Sequence, residues 1–325
     1  MDSDQEPTTN EKDSRPKIRH LLLSGGGATG FSYYGALRES HKDGFWNIKD
    51  IQTMHGVSSG GLFLLTMLFI PYFNWDELDD FFIKRPWEQL MSLSPDKILS
   101  SYKNAGIFGK DTLIDIISPI MKAVDLSLNV TMQELYEFTG IEIHFYTTHL
   151  NDTIDYIDIS HKTHPDWTVI DAIYSSCSLP LLFRPNVING EIYIDGAIIC
   201  NYPLQICIEN GISPDEIFGI KKIHHPNPTV DANTKPEFPY ETIIEYLLDI
   251  VDIVNKVSNK IYKEPSSKYT MTIADNLTTA LEVCNVLKTR ESRQQKIQLG
   301  VDRWNDFKTE IGLFTLHSKT RSELL

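Results

Sequence analysis

The sequence predicts an α/β fold, and two strand–turn–helix passages near its start carry that prediction. Ile18 to Leu23 is a short apolar run that leads into the glycine loop Gly25-Gly26-Gly27-Ala28-Thr29-Gly30. Phe31, Tyr34 and Leu37 follow at helical spacing, so strand, loop and helix come in order. The second passage begins with Ile48 to His55, a mixed segment that enters a strand. Gly56-Val57-Ser58-Ser59-Gly60 and the apolar run Gly61 to Ile70 complete it. A sharp turn between strand and helix lifts a serine hydroxyl to the top of a sheet, and flanking glycines let neighbouring backbone come close. The helix N-terminus behind Ser58 adds positive partial charge where an oxyanion would form. An ordinary glycine turn reads the same way, so the rest of the chain has to separate the two.

At 325 residues the chain can bury a large core in one or two domains. With 41% hydrophobic and 23% charged residues, disorder is excluded for most of it. The formal charge of −14 argues against a general nucleic-acid-binding role, because no basic excess exists to neutralise phosphates. Any lipid contact is therefore expected to be local and apolar. Cys177, Cys200, Cys207 and Cys284 form no Cys-x-x-Cys or zinc-like spacing, and are expected to be reduced. No EF-hand loop or acidic cage is visible, so neither a metal nor another cofactor is expected. Met1 to Lys17 is polar, carries Pro7 and Pro16, and reads as a disordered tail without the apolar core of a signal peptide. The longest apolar run, Leu62 to Phe73, is shorter than the roughly 20 residues of a membrane span. These features lead us to expect an intracellular, cytoplasmic protein.

Beyond Pro71 the elements alternate. Asn74 is a plausible N-cap before the acidic turn Asp76-Glu77, and starts a helix. Pro86 to Lys103 is mixed and loop-like, with helical patches. Asp111 to Val124 has Leu113, Ile116, Ile117 and Ile120 at helical spacing. Thr131 and Glu134 have capping-box spacing at the start of a helix ending near Thr139. Ile141 to Thr148 reads as a strand and Ile154 to Ile159 as its antiparallel neighbour. Val169 to Ser176 is a short helix. Asn186 to Gly190 makes a hairpin turn into Glu191 to Ala197, which presents Asp195 at a strand end before Gly196. Pro203 opens another helix. Ile217 to Lys222 reads as the last strand of the sheet. Pro226 to Pro239 is a loop, and Tyr240 to Tyr262 is an amphipathic helix that packs on the core or contacts a membrane. Leu277 to Leu287 is amphipathic, Thr289 to Lys308 is a charged, exposed helix, and the tail from His317 is polar.

The glycine loop has three readings. It fits the Gly-x-Gly-x-x-Gly of a pyrophosphate cradle, an oxyanion hole built from successive backbone amides, or a tight turn packing a helix on a strand. A dinucleotide site wants an acidic residue at the end of a second strand about 20 residues on. Asp43 to Asp50 supplies no such strand, and the second strand delivers Ser58 instead.

Three ordered motifs resemble the patatin-like phospholipase family: Leu23-Ser24-Gly25-Gly26-Gly27-Ala28-Thr29-Gly30, Gly56-Val57-Ser58-Ser59-Gly60 and Asp195-Gly196-Ala197. Ser175 to Pro185 and Asn201-Tyr202-Pro203 are similar too, and the likeness covers roughly Ile18 to Ile220. The resemblance implies a three-layer α/β/α sandwich around a mainly parallel sheet. It divides the chain into a tail at 1–17, a catalytic core at 18–223 and a C-terminal helical extension at 224–325. It also implies a metal-free acyl hydrolase of phospholipid or other lipid esters, in peripheral contact with membranes. Ser58 would be the nucleophile, Asp195 its base, and Gly25, Gly26 and Gly27 the oxyanion hole, with Gly30, Gly56, Gly60 and Gly196 supporting the motifs. The family usually has Lys or Arg where Thr29 stands, which opens the alternative of a weakly active lipid-binding or regulatory protein. Arg184 is a candidate replacement cation. A Ser-His-Asp triad would instead draw on His55, His144, His149, His161, His164, His224, His225 or His317, none of which sits in a recognisable motif.

Overall fold

A computed structural model describes residues 16–223, 265–275 and 280–313, together with 250, 253, 254 and 257. The expected tail up to residue 15, the loop at 226–239, His224, His225 and the tail from His317 lie outside the described residues, as does most of the helix at 240–262. Of that helix, Ile250, Ile253, Val254 and Val257 are helical and exposed.

In chain order the elements are β1 (His20–Leu23), α1 (Gly30–Lys42), β2 (Thr53–Val57), α2 (Ser59–Met67), α3 (Trp75–Lys84), α4 (Trp87–Leu90) and α5 (Pro95–Asn104). Next come β3 (Gly106–Phe108), α6 (Lys110–Ala123), α7 (Met132–Thr139), β4 (Glu142–Leu150), β5 (Ile154–Ile159), α8 (Val169–Cys177) and β6 (Leu181–Phe183). The last are β7 (Asn186–Ile188), β8 (Glu191–Asp195), α9 (Leu204–Glu209), β9 (Ile217–Ile223), β10 (Thr270–Ala274), α10 (Ala280–Lys288) and α11 (Arg290–Glu310). Both expected helix starts carry full capping boxes, Asn74 with Glu77 and Thr131 with Glu134.

The main sheet runs β10-β9-β1-β2-β4-β8-β7, with β5 also paired to β4. The first five are parallel neighbours, while β5 and β8 run antiparallel to β4, and β7 antiparallel to β8. Successive β1 residues split between the faces: Leu21 and Leu23 join the large core, and Leu22 joins a smaller cluster with Tyr202, Leu204, Cys207 and Ile217. Burial on both faces is why β1 reads as an unbroken apolar run. The result is the α/β architecture expected from the sequence, a mostly parallel sheet with helices on its faces.

Two expectations for the C-terminal part change. Ile217 to Lys222 is not the last strand, since β10 pairs in parallel with β9 and places Met271 and Ile273 in the core. The part beyond residue 223 is therefore not purely helical. Nor is α11 simply an exposed helix. Arg293, Ile297, Gly300, Trp304 and Phe307 recur four and three residues apart and are all buried. The buried Arg293 guanidinium donates to the carbonyls of Ile83, Arg85 and Leu287, where the end of α3 favours a cation. Trp304 donates to Asp43 at 2.7 Å.

The α1–α11 contact is close because glycines face backbone on both helices. A Cβ on Gly35 would lie 2.1 Å from the Ile297 carbonyl oxygen, and one on Gly300 would lie 1.9 Å from that of Ser32. Helix propensity alone makes Gly300→Ala stabilising by about 1 kcal/mol. The contact predicts the opposite sign: denaturant unfolding should show a loss of about 1–3 kcal/mol from overpacking. Leu299→Ala, on the exposed side of the same helix, should stay within about 0.5 kcal/mol.

Candidate active site

The site forms where β2 and β8 meet along one edge of β4. Phe145 and Tyr146 pair with both β2 and β5, so those strands occupy opposite edges of β4. Thr147 to His149 pair with both β5 and β8, so β8 shares the edge used by β2. Tyr146 faces Val57, and the next residue, Thr147, faces Asp195. Running in opposite directions, β2 and β8 thus end against each other, with Ser58 just beyond one and Asp195 at the tip of the other.

Ser58 sits at φ 52° and ψ −130° between β2 and α2. A non-glycine residue at positive φ costs on the order of 1–3 kcal/mol and persists only where its surroundings enforce it. Here α2 presses on the strands behind it. A Cβ on Gly56 would lie 2.4 Å from the Gly61 Cα, and one on Gly60 would lie 2.5 Å from the Ser24 carbonyl oxygen. The Ser58 amide donates to Ser176 Oγ at 2.9 Å. Gly30 backs onto the Phe63 ring, and Gly196 crosses the Tyr146 carbonyl with no room for a side chain.

Asp195 is only 1% exposed. Burial raises its pKa to about 7, against the lowering effects of the Ser58 hydroxyl and the Ala197 amide, which donates at 2.8 Å. Thr147 and Thr148 hydroxyls fix the strand end through the carbonyls of Ile194 and Asp195. The Cys177 side chain also lies beside Ser58. Burial pushes its thiol pKa well up, the Asp195 charge adds to this, and Ser58 opposes it. Asn201 Nδ2 donates to the Gly25 carbonyl at 3.2 Å, and its Oδ1 is buried with no partner among the described residues.

The three loop glycines take different places. Gly27, at φ +56°, lines an apolar cavity together with Ser58 and Ser59. The Gly26 amide donates to Ser59 Oγ at 3.1 Å. Gly25 lies under Ser58, where a Cβ would come within 3.1 Å of the serine Cβ. The cavity holds about 160 Å³ and is walled by residues such as Phe31, Phe63, Leu113, Ile117 and Leu182. A mostly apolar lining of this kind suits a hydrocarbon chain.

No histidine among the described residues lines this cavity. His55 lies on the sheet face, bonded to Thr53 and Tyr146 and stacked on His144 at 4.2 Å. Burial, His144 and His20 hold its pKa well below the usual value. Burial also lowers His144, but Asp158 and Glu142 outweigh it and raise its pKa to about 9.

Arg184 is not beside Thr29. It lies next to Gly109, with its carbonyl accepting from Tyr174. Thr29 is fully buried and donates to Asp275 Oδ2 at 2.8 Å, and both Asp275 oxygens accept from Lys296 Nζ at 2.8 Å. Sequence patterns do not reveal this arrangement, because its three residues come from separate segments.

Residues 21–208 match the family model described as patatin-like phospholipase. The chain is 28% identical over 264 residues to "Uncharacterized protein R571" of Acanthamoeba polyphaga mimivirus, covering 81% of this chain and 84% of that one. It is 28% identical over 203 residues to "Probable lipid hydrolase 463L" of Invertebrate iridescent virus 6, covering 60% and 65% of the two chains. Among solved structures, VipD from Legionella pneumophila superposes with a TM-score of 0.50 at 16% identity, covering 91% of this chain and 67% of that one. That likeness supports the fold. With more than half of its length matched by the family model, the chain belongs to the patatin-like phospholipase family.

Proposed function

We propose that the protein hydrolyses phospholipid or other lipid ester bonds, in the manner of a phospholipase A, through a Ser58–Asp195 dyad. The observation that carries this reading is the strained serine beside a buried carboxylate at an apolar cavity. Ser58 Oγ attacks the ester carbonyl carbon and its proton passes to Asp195. Backbone amides of Gly25 to Gly27 hold the negative oxygen that forms; Gly27 is best placed because it lines the cavity, and the Gly26 amide has to turn from Ser59 Oγ to join it. Collapse of the tetrahedral intermediate breaks the ester C–O bond, and Asp195 returns the proton to the departing alcohol. Water then gives a proton to Asp195 and attacks the acyl-serine; as the acyl C–O bond breaks and the fatty acid leaves, Asp195 returns that proton to Ser58 Oγ. The acyl chain occupies the apolar cavity, and lipid is met at a membrane surface. No helix among the described residues is long and apolar enough to cross a membrane.

An ordinary carboxylate is a weak base for a serine hydroxyl. A pKa near 7 brings Asp195 close to the operating range, where proton transfer is most effective. The base must be ionised, so kcat/KM for vesicle phospholipid should fall about tenfold per pH unit below about 7. Ser58→Ala and Asp195→Asn should each reduce fatty-acid release, measured in EDTA, by about 10³-fold or more. Undiminished turnover in Ser58→Ala would reject the nucleophile. A folded wild type without turnover would favour a lipid-binding role.

Burial also makes Asp195 a stability liability. The native state keeps the proton up to about pH 7, whereas an unfolded carboxylate releases it near 3.8. Stability is thus lost as pH rises between those values. Asp195→Asn should melt higher than wild type at pH 8, and the gap should close toward pH 4. Equal melting temperatures at pH 8 would show that Asp195 is solvated.

A further inference from the structure

We infer that Asp275 and Lys296 are positioning residues for the glycine loop, acting through Thr29. The inference rests on the hydrolase reading above and extends the site beyond residues 21–208, the span of the family-model match. A run of three glycines has many accessible backbone states, so the direction of its amides has to be fixed from outside. Thr29 ends the turn that begins at Gly27, and its amide donates back to the Gly26 carbonyl at 3.1 Å. Its hydroxyl is held by Asp275, whose own amide bonds the Ile223 carbonyl at the end of β9. The anchor is therefore part of the sheet, while the group it holds lies two residues from Gly27, which lines the cavity with Ser58.

A buried carboxylate is costly without a cation. Lys296 supplies one to Asp275, so that Asp275 acts as an acceptor for Thr29. Lys296 lies one turn before Gly300, where α11 crosses α1, and α1 begins immediately after the loop. The same helix contact thus sets both the start of α1 and the reach of Lys296. Because Asp275 balances the lysine charge, the effect is geometric and not a net field on the oxyanion.

The test compares wild type, Thr29→Val, Lys296→Met, Lys296→Arg and the control Lys308→Met, whose lysine lies on the same helix as Lys296 but pairs with Asp43 at the end of α1. Each is assayed for kcat and KM on a soluble short-chain ester, for Ser58 labelling by a fluorophosphonate, and for melting temperature. Thr29→Val removes only the hydroxyl and keeps the side-chain shape. We expect Thr29→Val and Lys296→Met to lower kcat and labelling rate by about 10- to 100-fold with little change in KM. Lys296→Arg should restore most of the rate, and Lys308→Met should change melting without changing kcat. Folded Thr29→Val with wild-type kcat and labelling overturns the inference while leaving the hydrolase intact, and it decides the matter if Lys296→Met does not fold. A folded wild type that neither turns over nor labels overturns the hydrolase reading, and the inference with it.

Discussion

The site depends on one pairing constraint: a single edge of β4 carries two strands end to end. Because β5 fills the opposite edge along Phe145 to Leu150, β8 can reach β4 only beyond the end of β2. The adjacent residues Tyr146 and Thr147 therefore bring Val57 and Asp195 side by side. A one-residue slip in either register would turn the side chains to the opposite face of the sheet. The Thr147 and Thr148 hydroxyls, bonded to the carbonyls of Ile194 and Asp195, pin the end that matters.

Around that junction the protein accepts two unfavourable features. Ser58 is held at positive φ, and Asp195 is buried with its pKa raised toward neutrality. Both require a rigid frame. The frame is supplied where α2 contacts β1 and β2 through glycines, and where Ser176 takes the Ser58 amide. The strained serine and the desolvated carboxylate meet here because β2 and β8 end against each other on β4.

The C-terminal segment is built into this frame. β10 extends the parallel sheet, α11 buries Ile297, Trp304 and Phe307 against the core, and Arg293 satisfies carbonyls at the end of α3. Asp275 and Lys296 reach the glycine loop from the same segment. A helix that is largely polar in sequence is therefore part of the interior, because its buried face includes an arginine and a glycine in place of two apolar residues.

By itself the sequence determined the α/β class, the order of its motifs and most element positions. These signals are local. A capping box lies within one turn, an apolar run marks a strand buried on both faces, and a glycine loop or elbow is specified by neighbours. It also singled out Ser58, Asp195 and the glycines, through motifs whose order is specific. Tertiary structure alone decided which groups meet. The side-by-side placement of Ser58 and Asp195 follows from strand register, the pKa of Asp195 from burial, and the partner of Thr29 from the pairing of β10 with β9. Each depends on segments distant in the chain approaching within a few ångströms, and no spacing along the chain encodes such an approach.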